Sequence, residues 1–320
     1  MADVQGDADV DGLVTDPWFA KDNTQVLYYR VNRRPIGGEP GLFKPDPDLL
    51  SHLERALSSA GPVESGRKYK RAWRLGNLKF DRDGGSFTAQ LGWARTSEAL
   101  GRVWNDSAHE WTDRVVPKDD SAVAPIAFDL RTRVLGVLKH PSFSTETVIS
   151  QVLTQALNDG EHAEDFPSTD WSVQPLGDNA SFEQWLDSVD QLLVLRMIFK
   201  RPNPDAEPEF QKLFDRLDNF EAEEIKEEIR ARDKERGLRK DQVRKDPDVR
   251  GHISAAMVAF GRIFASGRRN GKSVAYDQTK HGLRETLGYV GGDWDTATQE
   301  VLRAVERTGR DRVIREQDPE

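Results

Sequence analysis

The chain has 320 residues, 37% of them hydrophobic and 32% charged, and a net charge of −9. That length can bury a large core and predicts two domains, and eight Trp and fourteen Phe exclude wholesale disorder. Cysteine is absent, which excludes disulfides, thiolate zinc sites and cysteine nucleophiles and fits a reducing, cytoplasmic setting.

Residues 1–22 carry Asp3, Asp7, Asp9, Asp11 and Asp16 among Gly and Ala. They read as a flexible acidic lead-in, with neither the basic start nor the apolar core of a secretory signal. A first strand is predicted over Gln25 to Asn32, then a Pro- and Gly-rich loop from Pro35 to Pro47. A short helix over Asp48 to Ser59 follows, with Leu49, Leu50, Leu53 and Leu57 near helical spacing. From Ala72 to Lys139 the pattern alternates. Residues 73–80 form one strand, Asp83-Gly84-Gly85 a hairpin turn, and Phe87, Ala89, Leu91 and Trp93 one face of the returning strand. Further strands are predicted over Glu110 to Val116, Val123 to Leu130 and Val134 to Leu138. The result is an antiparallel sheet or small barrel.

Ser144 opens a helix to about Asn158, Trp171 to Leu176 is a short strand, and Ser181 with Gln184 has the form of a capping box. Gln191 to Lys200 is the most apolar strand and is expected to be central. Its core, Leu192 to Phe199, is the longest apolar stretch and is broken by Arg196, so no run approaches the roughly 18 residues of a membrane helix. Together 23–204 read as an antiparallel-sheet α+β domain.

The second region, 205–320, is predicted to begin with a long amphipathic helix over 207–236. Its stripe is Phe210, Leu213, Phe214, Leu217, Phe220 or its neighbour Ala222, Ile225 and Ile229. A basic connector over 238–250 leads to a strand from Ile253 to Ala265. That strand pairs with Lys272 to Thr279 across Asn270-Gly271, a strong hairpin marker. Asp293 caps a last helix over about Thr296 to Thr308. No internal repeat is visible.

Charge is unevenly distributed. Residues 230–284 hold fifteen Lys and Arg against six Asp and Glu, a local +9, so the rest of the chain sums to −18. An acidic protein that gathers its cations in one stretch is built to meet an anion, with nucleic acid the leading candidate. The sharpest site is the hairpin tip with Arg268, Arg269 and Lys272. Arg262 stands on a strand face with Phe260 and Phe264, a face able to stack bases and hold a single strand. The bland alternative is a solvated loop with its Phe residues in the core. Arg239, Lys240, Arg244 and Lys245 form a second basic group, interrupted by Asp233, Glu235, Asp241 and Asp246. Such a run is commonly a solvated helix laced by pairs such as Glu228 with Arg232 and Glu235 with Arg239. A third group, from Arg67, Lys68, Tyr69, Lys70 and Arg71 to Trp73 and Arg74, reads as a loop entering a core strand. It joins the basic surface only if it folds beside it.

Other chemistries fare worse. Three residues separate Gly267 from Gly271, where a phosphate loop needs four before Lys-Ser/Thr, and a strand rather than a helix follows. The six histidines never fall at a ligand spacing. Glu161, His162, Glu164 and Asp165 read as a surface loop, and Glu221, Glu223, Glu224, Glu227 and Glu228 as a solvated helix face. No serine-hydrolase elbow appears. No metal or cofactor is expected.

The strand Leu192 to Phe199 running into Arg201-Pro202-Asn203-Pro204, with Gly261-Arg262-Ile263, Gly267, Gly271, Val274 and Asp277 later, resembles uncharacterised bacterial proteins found among anti-phage defence genes. The resemblance covers about a quarter of the chain. It implies a cytosolic sensor or effector component acting with partners, and it carries over no catalytic residue.

The sequence therefore predicts an α+β protein that binds nucleic acid, DNA or RNA, without catalysis, through Arg262, Arg268, Arg269, Lys272, Arg239, Lys240, Arg244 and Lys245. Two alternatives stay open. One is a metal-dependent nuclease or toxin-like effector on the same surface. The other is a protein-interaction subunit that meets a partner, or a second copy, through helix 207–236.

Overall fold

Alternating side chains build a long antiparallel sheet first. The computed structural model describes residues 18–19, 23–35, 49–66, 70–105, 110–143, 145–163, 169–200 and 210–317. The sheet contains β1 (Gln25–Pro35), β2 (Val63–Ser65), β3 (Arg71–Asp81), β4 (Ser86–Asn105), β5 (Glu110–Asp129), β6 (Val134–Leu138), β7 (Thr169–Pro175) and, far along the chain, β12 (Arg284–Thr286). Their order is β12-β1-β6-β5-β4-β3-β2, with β7 also on β1, and the sheet curls strongly into a half-barrel. Phe87, Ala89, Leu91 and Trp93 of β4 are all buried, as their alternation predicts. The two strands expected over 110–130 are one, because β4 pairs with β5 along its whole length.

One face of this sheet is covered by α1 (Leu49–Ser59) and α2 (Glu146–Ala163), whose Leu53, Leu57, Ile149, Val152, Leu153 and Leu157 pack on Trp73, Phe87, Leu91 and Trp93. The other face is covered by α7 (Trp294–Gln317), through Val301, Ala304 and Val305. Helix α7 approaches β6 closely at Gly136, where a Cβ would lie 2.5 Å from Val305 Cγ2. Asp293 caps α7 as predicted, its carboxylate accepting from Thr296 N–H at 2.8 Å. Phe19 is fully buried in the α7 cluster and Trp18 packs beside it, so the lead-in ends in the core rather than in solvent.

The second sheet contains β8 (Gln191–Lys200), β9 (Glu224–Arg230), β10 (Gly261–Arg269) and β11 (Lys272–Asp277), in the order β11-β10-β8-β9. Helices α3 (Asn179–Ser188), α4 (Gln211–Asn219), α5 (Lys240–Lys245) and α6 (Pro247–Met257) accompany it. The predicted helix 207–236 is thus a helix, a turn with Glu221 at φ 49°, and a strand. Ile225 and Ile229 are four apart, a spacing that satisfies both a helix face and a strand face. Pairing with β8 settles it, and the acids expected on a helix face lie on this strand or in the turn before it.

The strand expected from Ile253 starts only at Gly261. Before it, Asp246 caps α6 by accepting from Asp248 and Val249 N–H at 3.0 Å, and Pro247 sits in the first turn. Helix α3 starts at Asn179 with Asp178 as its cap, so Ser181 and Gln184 are not a capping box. Asn270 and Gly271 take φ 51° and 72°, the left-handed pair of the predicted hairpin turn. Sheet membership does not divide at residue 204: β8 belongs to the second sheet, while β12 and α7 return to the first. The class is α+β with a C-terminal helix after the strands, as predicted.

Candidate nucleic-acid interface

The second sheet is packed on one side. Leu195, Met197, Ile263, Ala265 and Tyr276 point into a cluster with α3, α5 and α6, and Phe199 into one with α4 and α6. The intervening residues of the same strands face away. Across this second face Arg262 pairs with Ile198, which pairs with Lys226. One step along, Asp277, Phe264, Arg196 and Glu228 lie in a row. Val194, Ile198 and Phe264 are half-buried and belong to none of the four hydrophobic clusters.

The ionic pattern on this face is specific. Arg196 donates to Glu228 through Nε at 2.7 Å and Nη2 at 2.5 Å, and Arg230 pairs with the same carboxylate. Those hydrogen bonds, Arg196 first, hold the Glu228 carboxyl below its ordinary range. A hydrogen bond from Lys226 does the same for Glu224, which Lys200 approaches at 3.9 Å. Arg262 has no hydrogen-bond or ion-pair partner among the described residues. Among the described strand residues six cations, Arg196, Lys200, Lys226, Arg230, Arg262 and Arg268, share the face with three carboxylates, Glu224, Glu228 and Asp277.

The eight predicted site residues do not form one surface. Arg262 and Arg268 stand on the open face, and Arg268 Nη1 reaches Glu235 Oε1 at 3.3 Å. At the hairpin tip Lys272 is exposed and has no partner among the described residues, whereas Arg269 donates to Ser188 O at 3.1 Å and to Ser188 Oγ. Asn270 N–H donates to Asp190 Oδ2 at 2.6 Å, which ties the tip to the end of α3. Lys240 donates to Leu186 O at 3.1 Å and Val189 O at 2.9 Å, and Arg244 is held by Glu183 at 2.8 Å and Asp187 at 2.5 Å. Arg269, Lys240 and Arg244 are therefore fasteners of α3, whose C-terminal carbonyls and acidic side chains attract cations. Arg239, which acts electrostatically on Asp241, and Lys245 are exposed, but α5 packs through Val243 into the cluster beneath the sheet, on the opposite side from Arg262.

Phe260 does not share the open face. It precedes β10, is buried against Phe210, and carries the Arg30 guanidinium 4.4 Å above its ring. The expected pairs Glu228–Arg232 and Glu235–Arg239 are replaced by Glu228 with Arg196 and Arg230, and Glu235 with Arg268. In the third basic group Trp73 is core, Arg71 stacks over Trp93 at 4.1 Å, and Lys70 pairs with Glu64. Its described residues, Lys70, Arg71, Trp73 and Arg74, sit at the β2–β3 end of the first sheet, not in the second. Arg67, Lys68, Tyr69, Glu164, Asp165 and 201–204 lie outside the described residues, as do residues 1–17 and the loop 36–48.

Sequence reasoning missed Arg196 and Lys226 and placed Arg230 on a helix. The available signal was the period-two alternation of Arg196, Ile198 and Lys200 with Leu195, Met197 and Phe199. Among the described residues no three His, Asp or Glu side chains converge as a metal site, and no helix is long and apolar enough to cross a membrane. Residues 104–305, more than half of the chain, match the model of a family described as a domain of unknown function, DUF4747, and the chain belongs to that family. No curated protein matches it.

Proposed function

We propose that this DUF4747 member is a non-catalytic nucleic-acid-binding protein whose contact surface is the open face of the second sheet, with Arg262 at its centre. The observation that carries the reading is Arg262 itself. Among the described residues it is a guanidinium with no hydrogen-bond or ion-pair partner, beside a half-buried Phe264, on a face that no helix covers and where cations outnumber carboxylates. Guanidinium and ammonium groups there contact phosphates, which supplies affinity and register but little base specificity. The acidic remainder of the chain repels a polyanion and so favours its approach at this face. Arg268 extends the surface toward the hairpin tip, whereas Lys272 pairs with Arg269 on the opposite face. A cytoplasmic defence role belongs to the same reading and rests on the resemblance alone.

The test is binding to labelled DNA and RNA across a salt series, with magnesium present and product lengths checked. Arg262→Ala is expected to reduce the slope of log K against log salt by about 0.7 to 0.9, one phosphate contact. A paired Arg239→Ala/Lys245→Ala change on the opposite side leaves it unaltered. Absence of binding at low salt, or a slope indifferent to Arg262, overturns the reading. A shortened product favours the nuclease alternative. The interaction-subunit alternative has support in Phe220, 73% exposed at the corner between α4 and β9. Its mark is a mass that rises with concentration without nucleic acid.

A further inference from the structure

We infer that the ligand of this face is a single strand, with a base stacked on Phe264. The inference rests on the nucleic-acid reading above and narrows it. Three features of the face carry it. The first is shape: the four helices described for this unit lie beneath the sheet or at its margin. Among the described residues the face therefore lacks a helix to enter a duplex major groove about 12 Å wide, and its four strands, spaced about 4.8 Å apart, make a broader surface than the two-stranded ribbon that groove admits. The second is the apolar centre. Phe264, Ile198 and Val194 are half-buried, with part of each side chain open to solvent, yet claimed by no core cluster. An intact duplex covers them poorly, since its base faces are stacked inside and its outside is mostly phosphate and sugar. An unstacked base covers an aromatic ring, whatever its sequence, because every base has a π-face.

The third feature is the placing of charge around that centre. Arg196 lies directly across from Phe264, and Arg262 two residues before it on the same strand. Those separations are about 5 Å across the strands and about 7 Å along one. A backbone passing over the Arg262 side can set a phosphate on the guanidinium while the attached base turns onto the ring. Arg196 borders the ring and is already oriented by Glu228.

The experiment uses the full chain with a short single-stranded oligonucleotide containing 2-aminopurine and the matching duplex. The expected result is tighter binding of the single strand, with a change in 2-aminopurine emission on binding. Phe264→Leu, which keeps the apolar bulk and removes the π-face, should weaken single-strand binding about tenfold, since 1.4 kcal/mol is a factor of ten. It should leave duplex binding and the salt slope unchanged, and Phe264→Tyr should restore affinity. Thermal melts of both variants check that the fold is retained. If neither nucleic acid binds, the nucleic-acid reading itself fails. If both forms bind with Arg262-dependent slopes while Phe264→Leu changes nothing, that reading stands and the single-strand inference falls.

Discussion

Glu228 neutralises two of the cations that the proposed surface needs, so removing its charge should strengthen the surface. The carboxylate accepts from Arg196 and Arg230 together, and the face carries six cations against three carboxylates. Glu228→Gln keeps the side chain's shape and one acceptor oxygen, removes one negative charge, and leaves both guanidiniums free to meet phosphates. Each added phosphate contact steepens the salt dependence by about 0.7 for a single strand, so the slope should rise in magnitude by about 0.7 to 1.4. The affinity gain should be largest at low salt and vanish as salt rises, because an exposed site is screened within about 10 Å at 0.1 M. The assay is fluorescence anisotropy of a labelled oligonucleotide at several salt concentrations. A thermal melt should stay near the wild-type value, since exposed ion pairs contribute little to stability. Weaker binding, or an unchanged slope with the fold intact, would refute the idea that the open face meets phosphate.

Two further predictions concern the scaffold. Gly136→Ala should destabilise by about 1–3 kcal/mol, because the added methyl meets Val305 Cγ2 at 2.5 Å and both Val26 and Val301 at 3.2 Å. Val305→Ala should remove most of that cost in the double variant, and strictly additive effects in urea unfolding would contradict the close α7–β6 approach. Burial raises the carboxyl of Glu146 above its ordinary 4.5, with Arg284, 3.1 Å away, acting in the opposite direction. The folded chain then binds this proton more readily than the unfolded chain. Glu146 costs nothing below 4.5, and its cost grows as pH rises through the folded value. Glu146→Gln should therefore flatten the fall in stability on going from below 4.5 toward neutrality, and a variant with the wild-type pH slope would count against it.

How much of this was legible depends on whether one period or two fitted the residues. Strands β6 and β8 and the hairpin turn were readable, because Val134 to Leu138 and Gln191 to Lys200 are bounded apolar runs and Asn-Gly demands positive φ at both positions. Strand β9 was not. Its sequence is mostly charged, its two isoleucines sit four apart, and only the partner strand β8, twenty-odd residues earlier, decides between helix and strand. Helix α6 was hidden differently. Ile253, Ala255 and Met257 alternate like a strand, and the deciding signal was the Asp246-Pro247 start just before them. The topology that returns β12 and α7 to the first sheet leaves no local trace, since it rests on pairing with β1 and on packing at Gly136.

The site shows the same limit in electrostatic form. Charge along a chain and charge on a face are different quantities, and only the second meets a ligand. Of the cations between 230 and 284, Lys240, Arg244 and Arg269 bind carbonyls and acids of α3, and the α5 pair Arg239 and Lys245 lies on the far side of the sheet. The open face gains Arg196, Lys200 and Lys226 instead, from outside that stretch. The count that drew attention to the C-terminal region therefore overstated its own contribution while omitting half the cations of the surface it pointed toward. Strand pairing explains how both happened. Each step across the sheet brings together residues distant in sequence, so a basic surface on a sheet is assembled by register, not by composition.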